Sequence, residues 1–125
     1  MKLHIARPDG RNRFTSYGSG YVAVNEVRHE RSLIVLSDRV LEWEPASFEE
    51  LTQQVFAKLA ELPMEILILG TGTRLQFPHP SRTRALTEAR IGLEVMDTHA
   101  ACRTYNILLA EDRRVGAALL LDAGS

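Results

Sequence analysis

The apolar residues in the first third of the chain come in short runs that suit strands. Residues 20–27 (GYVAVNEV) are rich in β-formers, Leu33–Leu36 is an unbroken apolar run, and residues 40–43 (VLEW) are a third short candidate. Ser37, Asp38 and Arg39 between the last two predict a hairpin. Ahead of these runs, Pro8, Asp9 and Gly10, then Gly18, Ser19 and Gly20, carry turn chemistry. Proline and aspartate start turns and glycine accepts positive φ, so loops or edge structure are expected there.

Beyond Pro45 the period changes. Ser47 and Glu50 form an S-x-x-E capping box, in which the hydroxyl accepts a helix N–H and the carboxylate reaches back, so a helix is expected from Ser47. Phe48, Leu51, Val55, Leu59 and Leu62 recur at three- and four-residue steps and make one apolar stripe that stops at Pro63. Residues 65–70 (EILILG) are almost wholly apolar and end in glycine, as a strand covered on both faces of a parallel sheet would be. A helical segment around residues 81–90, a strand at 93–96, a second helix around 98–109 and a strand at 115–121 complete the chain. Strands alternating with helices predict right-handed crossovers onto one sheet, and the N-terminal strands then add an antiparallel part or a small second layer. With no repeat or linker, residues 1–125 are expected to form a single α/β domain.

Composition narrows the function classes. An apolar fraction of 45% and a charged fraction of 25% are those of an ordinary globular protein and exclude a disordered or fibrous chain. A formal net charge of −1 gives no global field to gather nucleic acid or an anionic membrane, so neither is an expected partner. The basic residues are mostly arginine, with Lys2 and Lys58 the only lysines, and arginine's planar fork suits carboxylates and phosphates. Cys102 is the sole cysteine, which leaves no internal disulfide and no CxxC pair and points to a reducing compartment. Residues 1–14 lack an apolar signal core and no apolar run approaches a bilayer span, so a cytoplasmic protein without stable membrane insertion is expected.

The best candidate for chemistry follows the central apolar run: Gly70, Thr71, Gly72, Thr73 and Arg74. Glycines there let backbone N–H groups converge on an anion; equally, they supply the dihedrals by which a strand leaves its sheet. The segment lacks the third glycine of a dinucleotide fingerprint and the lysine of a phosphate-binding P-loop. Ligands of open α/β sheets sit beyond the carboxyl ends of strands, which adds the loop Met96, Asp97, Thr98, where Asp97 or Thr98 would cap the next helix. Arg82 and Arg84 could join Arg74 as anion binders, whereas Glu94 and Asp97 on the same rim would repel one. His99 and Cys102 lie one helical turn apart, but Cys102 shares a stripe with Ala101, Tyr105, Leu108 and Leu109 and reads as a small buried hydrophobe. Asn106, mid-helix and polar, implies a tertiary or backbone hydrogen bond. No GxSxG, HExxH or Ser-His-Asp order occurs and the histidines have no ligand spacing, so neither catalysis, a cofactor nor a metal site is expected.

Residues 66–121 carry a more specific signal. ILILGTGTRLQFP followed by GLEVMDTHAACRTYNILLAEDRRVGAALL resembles the Mth-type domain family, which includes the mitochondrial complex I assembly factor three and an adipogenesis-associated protein. That resemblance implies a three-layer α/β fold, with a central mixed sheet flanked by helices and an N-terminal β-hairpin layer, and no established catalytic residues. It also implies work by protein–protein contact, as in the mitochondrial members; free-standing bacterial members are mostly of unknown function. The residues matched for a shared surface are Gly70, Thr71, Gly72, Asp97, Thr98, Tyr105 and Asn106. The chain departs from the mitochondrial pattern in having no presequence, which suggests a bacterial-type member, and in placing Asp112 where relatives often have glycine, a turn that aspartate tolerates in the left-handed region.

Two functions are therefore expected in the alternative. One is a non-enzymatic interaction or assembly-factor-like module with its surface near the GTG and MDT loops, binding an unidentified protein partner or a second copy of itself. The other is a binder of a small anionic ligand, or an enzyme without a recognisable motif acting on one, with the ligand held at the GTG loop by Arg74 and Arg82.

Overall fold

A computed structural model describes residues 10–121. The order is β1 (Phe14–Gly18), β2 (Tyr21–Val24), β3 (Val27–His29), β4 (Leu33–Leu36), β5 (Arg39–Glu42), α1 (Gln53–Leu59), β6 (Ile66–Gly70), α2 (Arg84–Glu88), β7 (Gly92–Met96), α3 (Thr98–Ala110) and β8 (Val115–Leu119). Strands β5-β4-β8-β6-β7 form a mixed five-stranded sheet, and β1-β2-β3 a separate antiparallel one. The fold class expected from the sequence is the one observed.

The run at residues 65–70 is the middle of the design. β6 pairs in parallel with both β7 and β8, and Leu67, Ile68 and Leu69 are fully buried. Because strand side chains alternate, Ile68 joins Val35, Ala117 and Leu119 under α3 and the small sheet, while Leu67 and Leu69 join Leu36, Ala118 and Leu120 under α1 and α2. Two cores thus share one sheet. A step from β6 to β7 followed by a step back across β6 to β8 reverses direction, and crossovers of fixed hand must then use opposite faces. Accordingly α2 buries Leu86 on one side, and α3 buries Ala101, Cys102, Tyr105 and Leu109 on the other.

Several local expectations need correction. Residues 20–27 are a hairpin rather than one strand: the chain reverses at Asn25 and Glu26, whose φ angles are 50° and 74°, so that Val24 pairs with Val27. Asn25 tolerates this conformation, and its side chain ties the turn to β1, accepting from Arg13 N at 3.1 Å and donating to Asn12 Oδ1 at 2.7 Å. The turn at Gly18, Ser19 and Gly20 forms as expected, joining β1 to β2. Of the earlier turn expected at Pro8, Asp9 and Gly10, the first two residues lie outside those described. The Ser47–Glu50 box closes only a single 3-10 turn, Phe48–Glu50, with Ser47 Oγ on Glu50 Oε2 at 3.3 Å and no backbone amide capped by the Ser47 side chain. The α-helix starts later, where Thr52 Oγ1 accepts from Val55 N at 3.3 Å. That shift makes Phe56, outside the expected stripe, a fully buried residue. α2 is also shorter than residues 81–90, because Pro80 and the turn around Thr83 precede it. Asp112 does take the left-handed conformation, with φ of 61°.

Candidate functional site

The ends of β6, β7 and β8 and the start of α3 converge on one hydroxyl. Thr98 Oγ1 accepts from Gly72 N at 2.8 Å and donates to Leu120 O at 2.9 Å. Around it Thr71 N donates to Met96 O, Thr98 N to Gly72 O and Leu120 N to Gly70 O, each at 2.9 Å. Gly70 is glycine because nothing larger fits: a Cβ there would stand 2.8 Å from Leu119 Cδ2 and 3.0 Å from the Thr98 Cα. Thr71 is buried and its hydroxyl donates to Arg74 O at 2.6 Å while accepting from Gln76 N at 3.2 Å. Gly72 turns the chain with φ of 95°. The GTG amides are therefore spent within the protein, and the glycines serve the strand exit rather than a converging anion cradle.

Beside this turn lies a shallow depression of about 130 Å³, bounded by Gly72 and Thr73, by Asp97 and His99, and by Gly18 and Gly20 of the β1–β2 turn. Asp97 caps α3, its Oδ1 accepting from Ala100 N at 2.9 Å. His99 Nε2 lies 2.9 Å from Gly18 O; a carbonyl only accepts, so that nitrogen carries the hydrogen. The His99 ring rests on Tyr17 with centroids 4.7 Å apart, and Arg103 Nη1 donates to the Tyr17 hydroxyl at 2.9 Å. Nothing local in the sequence signals this junction, since His99 and Gly18 are 81 residues apart.

The structure brings Gly70, Thr71, Gly72, Asp97 and Thr98 together and sends the other candidates elsewhere. Tyr105 is fully buried, its hydroxyl donating to Asn12 O at 3.0 Å and its ring meeting Phe14 edge-on at 5.2 Å. Asn106 makes the tertiary contact its position implied: its amide accepts from Phe14 N at 2.9 Å and donates to Phe14 O at 2.8 Å, clamping β1 to α3. Arg74 is exposed, Arg82 Nη1 donates to Leu51 O at 3.4 Å, and neither borders the depression. Cys102 is enclosed in the core, and burial pushes its thiol up to about 12 against a small opposing pull from Arg103. It is not an activated nucleophile. Among the described residues no group of three or more His, Cys, Asp or Glu is placed to hold a metal, and no helix is long and apolar enough to cross a membrane.

Two outcomes follow from this geometry. Thr98→Val keeps the volume but orphans the Gly72 N–H and the Leu120 carbonyl; it should cost about 2 kcal/mol in urea unfolding, and Thr98→Ser should recover most of that. For Cys102, the unfolded thiol loses its proton near pH 8.5 whereas the buried one keeps it to about 12, so folding stability is intact below that window and falls as pH rises through it. Alkaline unfolding midpoints of Cys102→Ala should lack the part of that decline, about 1.4 kcal/mol per pH unit, that the thiol causes.

Residues 14–120 match the family described as "Protein of unknown function (DUF498/DUF598)". NADH dehydrogenase (ubiquinone) 1 alpha subcomplex assembly factor 3 of Bos taurus is 35% identical over 111 residues, which are 87% of this chain and 60% of that protein. The chain thus spans less than two thirds of that relative's length. A solved structure from Bordetella parapertussis is 39% identical with a TM-score of 0.86, covering 92% of this chain and 99% of that one. An Mth938-like domain from Bordetella pertussis is 36% identical with a TM-score of 0.79, covering 98% and 93%. The chain belongs to the DUF498/DUF598 family, the Mth-type domains whose bacterial members are mostly uncharacterised.

Proposed function

We propose that this chain is a non-enzymatic interaction module of assembly-factor type, and that its contact surface is the rim where the GTG turn, the start of α3 and the β1–β2 turn meet. The observation that carries this reading is the saturation of that rim. The Gly72 amide and the Asp97 carboxylate already have intramolecular partners, and the Thr98 hydroxyl both accepts and donates within the protein. A site that binds small molecules needs unspent polar groups converging on a cavity of roughly 300 Å³ or more. The depression here is about 130 Å³ and its polar groups are largely committed to the fold. Such a surface has a fixed shape and little chemistry, which suits docking of another protein with little ordering cost. The assembly-factor name of the bovine relative supports the same class of role.

Thr73 is exposed on this rim and is the place to test it. Tagged chain isolated from its native host under mild conditions should retain a stoichiometric protein partner. Thr73→Arg should reduce that partner at least about tenfold while leaving the melting temperature unchanged. Recovery of the chain alone, or of a partner indifferent to Thr73→Arg, would refute the reading.

A further inference from the structure

Beyond Thr73 the chain enters a loop that ends at α2 and exposes large apolar side chains. Leu75 and Phe77 are 51% and 70% exposed, two large apolar groups within three residues. Scattered exposed hydrophobics are ordinary, but a paired set on a fixed loop marks a contact surface. This loop is fixed at both ends. Thr71 Oγ1 holds Arg74 O and Gln76 N on one side; on the other, Gln53 Nε2 donates to Ser81 O at 3.2 Å and Arg82 N to His79 O at 2.9 Å. Pro78 and Pro80 flank the tip and restrict it further. Phe77 is thus presented outward on a tethered loop.

The charge around it is lopsided. Residues 71–90 contain four arginines, Arg74, Arg82, Arg84 and Arg90, against Glu88 alone, on a chain whose formal net charge is −1. Elsewhere four arginines are matched with carboxylates: Arg11 with Asp112, Arg28 with Glu30, Arg39 with Asp38 and Arg113 with Glu65. The guanidinium groups of Arg74, Arg84 and Arg90 have no ion-pair or hydrogen-bond partner among the described residues, and that of Arg82 uses one N–H on a carbonyl. Unspent guanidinium forks on the same segment as an exposed aromatic side chain are the composition of an interface centre, where Arg and Phe are enriched and Lys is depleted. Each fork matches a carboxylate with two parallel hydrogen bonds.

We propose that the loop of residues 74–82 with the start of α2 docks an acidic protein segment bearing a large apolar side chain. Phe77 and Leu75 supply the apolar contact, and Arg74 and Arg84 take its carboxylates. This rests on the interaction-module reading and adds the chemistry of the partner and a second contact element. A protein segment fits better than an anionic membrane. Lipid-binding patches gather clustered Lys and Arg over a broad apolar face, whereas here two apolar residues project and the rest of the chain is net acidic.

The test presents the full chain to a displayed library of short random peptides, then measures the selected peptides by fluorescence anisotropy. Selected sequences should be enriched in Asp or Glu together with an aromatic or large aliphatic residue. Their binding should weaken at least about tenfold with Phe77→Ser and with the double change Arg74→Glu, Arg84→Glu, and should weaken with added salt. All three positions are exposed, and unchanged melting temperatures would show that the variants fold. Peptides without acidic bias, no selected peptide at all, or binding indifferent to both variants would overturn the proposal. So would Phe77-dependent uptake onto phosphatidylserine vesicles in place of peptide binding. Acidic peptides lost with Thr73→Arg but indifferent to the loop variants would leave the rim reading standing and sink this one; the converse would sink the rim and leave the loop.

Discussion

The structure depends on burying one strand, β6, on both faces and along both edges. Leu67, Ile68 and Leu69 have no access to solvent, and the backbone between them is paired in parallel on either side. An interior parallel strand cannot be joined to its neighbours by tight turns, so helices must carry the chain over the sheet. That requirement places α2 on one face and α3 on the other. It also brings the carboxyl ends of β6 and β7 side by side, with Gly70 opposite Met96. The site follows from that adjacency: only where these two exits meet can Thr71 reach Met96 and Thr98 reach Gly72.

In many open α/β sheets the same location is a crevice that holds a ligand. Here a threonine hydroxyl and a capping aspartate fill it. Gly70 permits the close approach, Thr98 bridges two backbone groups, and Asp97 satisfies the first turn of α3, so the groups that could have held an anion hold the protein together instead. Exposed cationic and apolar groups lie further along, on the loop at Arg74, Leu75 and Phe77 and on α2. Polar saturation at the rim and unspent charge beside it are what support the proposed interaction role, and the similarity to an NADH dehydrogenase (ubiquinone) 1 alpha subcomplex assembly factor is in keeping with it.

Much of this was legible in the sequence where the signal is local. The unbroken apolar run at Leu67, Ile68 and Leu69 announced a doubly covered strand, Asp97 was one of two residues that could cap α3, and Asn106 announced a hydrogen bond, tertiary or to the backbone, because amides are out of place in mid-helix. What escaped was set by tertiary competition. The Ser47 box closes a 3-10 turn without starting the α-helix, because the backbone leaves helical geometry at Leu51, with φ of −83° and ψ of 86°, before Thr52 caps the next element. Asn25 and Glu26 made a hairpin without glycine, which pattern alone reads as continuous strand. Tyr105 and Asn106 looked like surface candidates beside Thr98, yet the small antiparallel sheet covers them through Asn12 and Phe14, more than ninety positions away. The junction of His99 with Gly18 is equally non-local.

The central physical claim is that the GTG turn is a filled, fixed element whose amides belong to the fold. Native-state hydrogen exchange of the Gly72 N–H tests it most directly, because that amide is either tied to the Thr98 hydroxyl or open to solvent and ligands. The account predicts that it exchanges as slowly as the β6 amides, requiring sub-global opening. Exchange as fast as that of an exposed loop amide would contradict it.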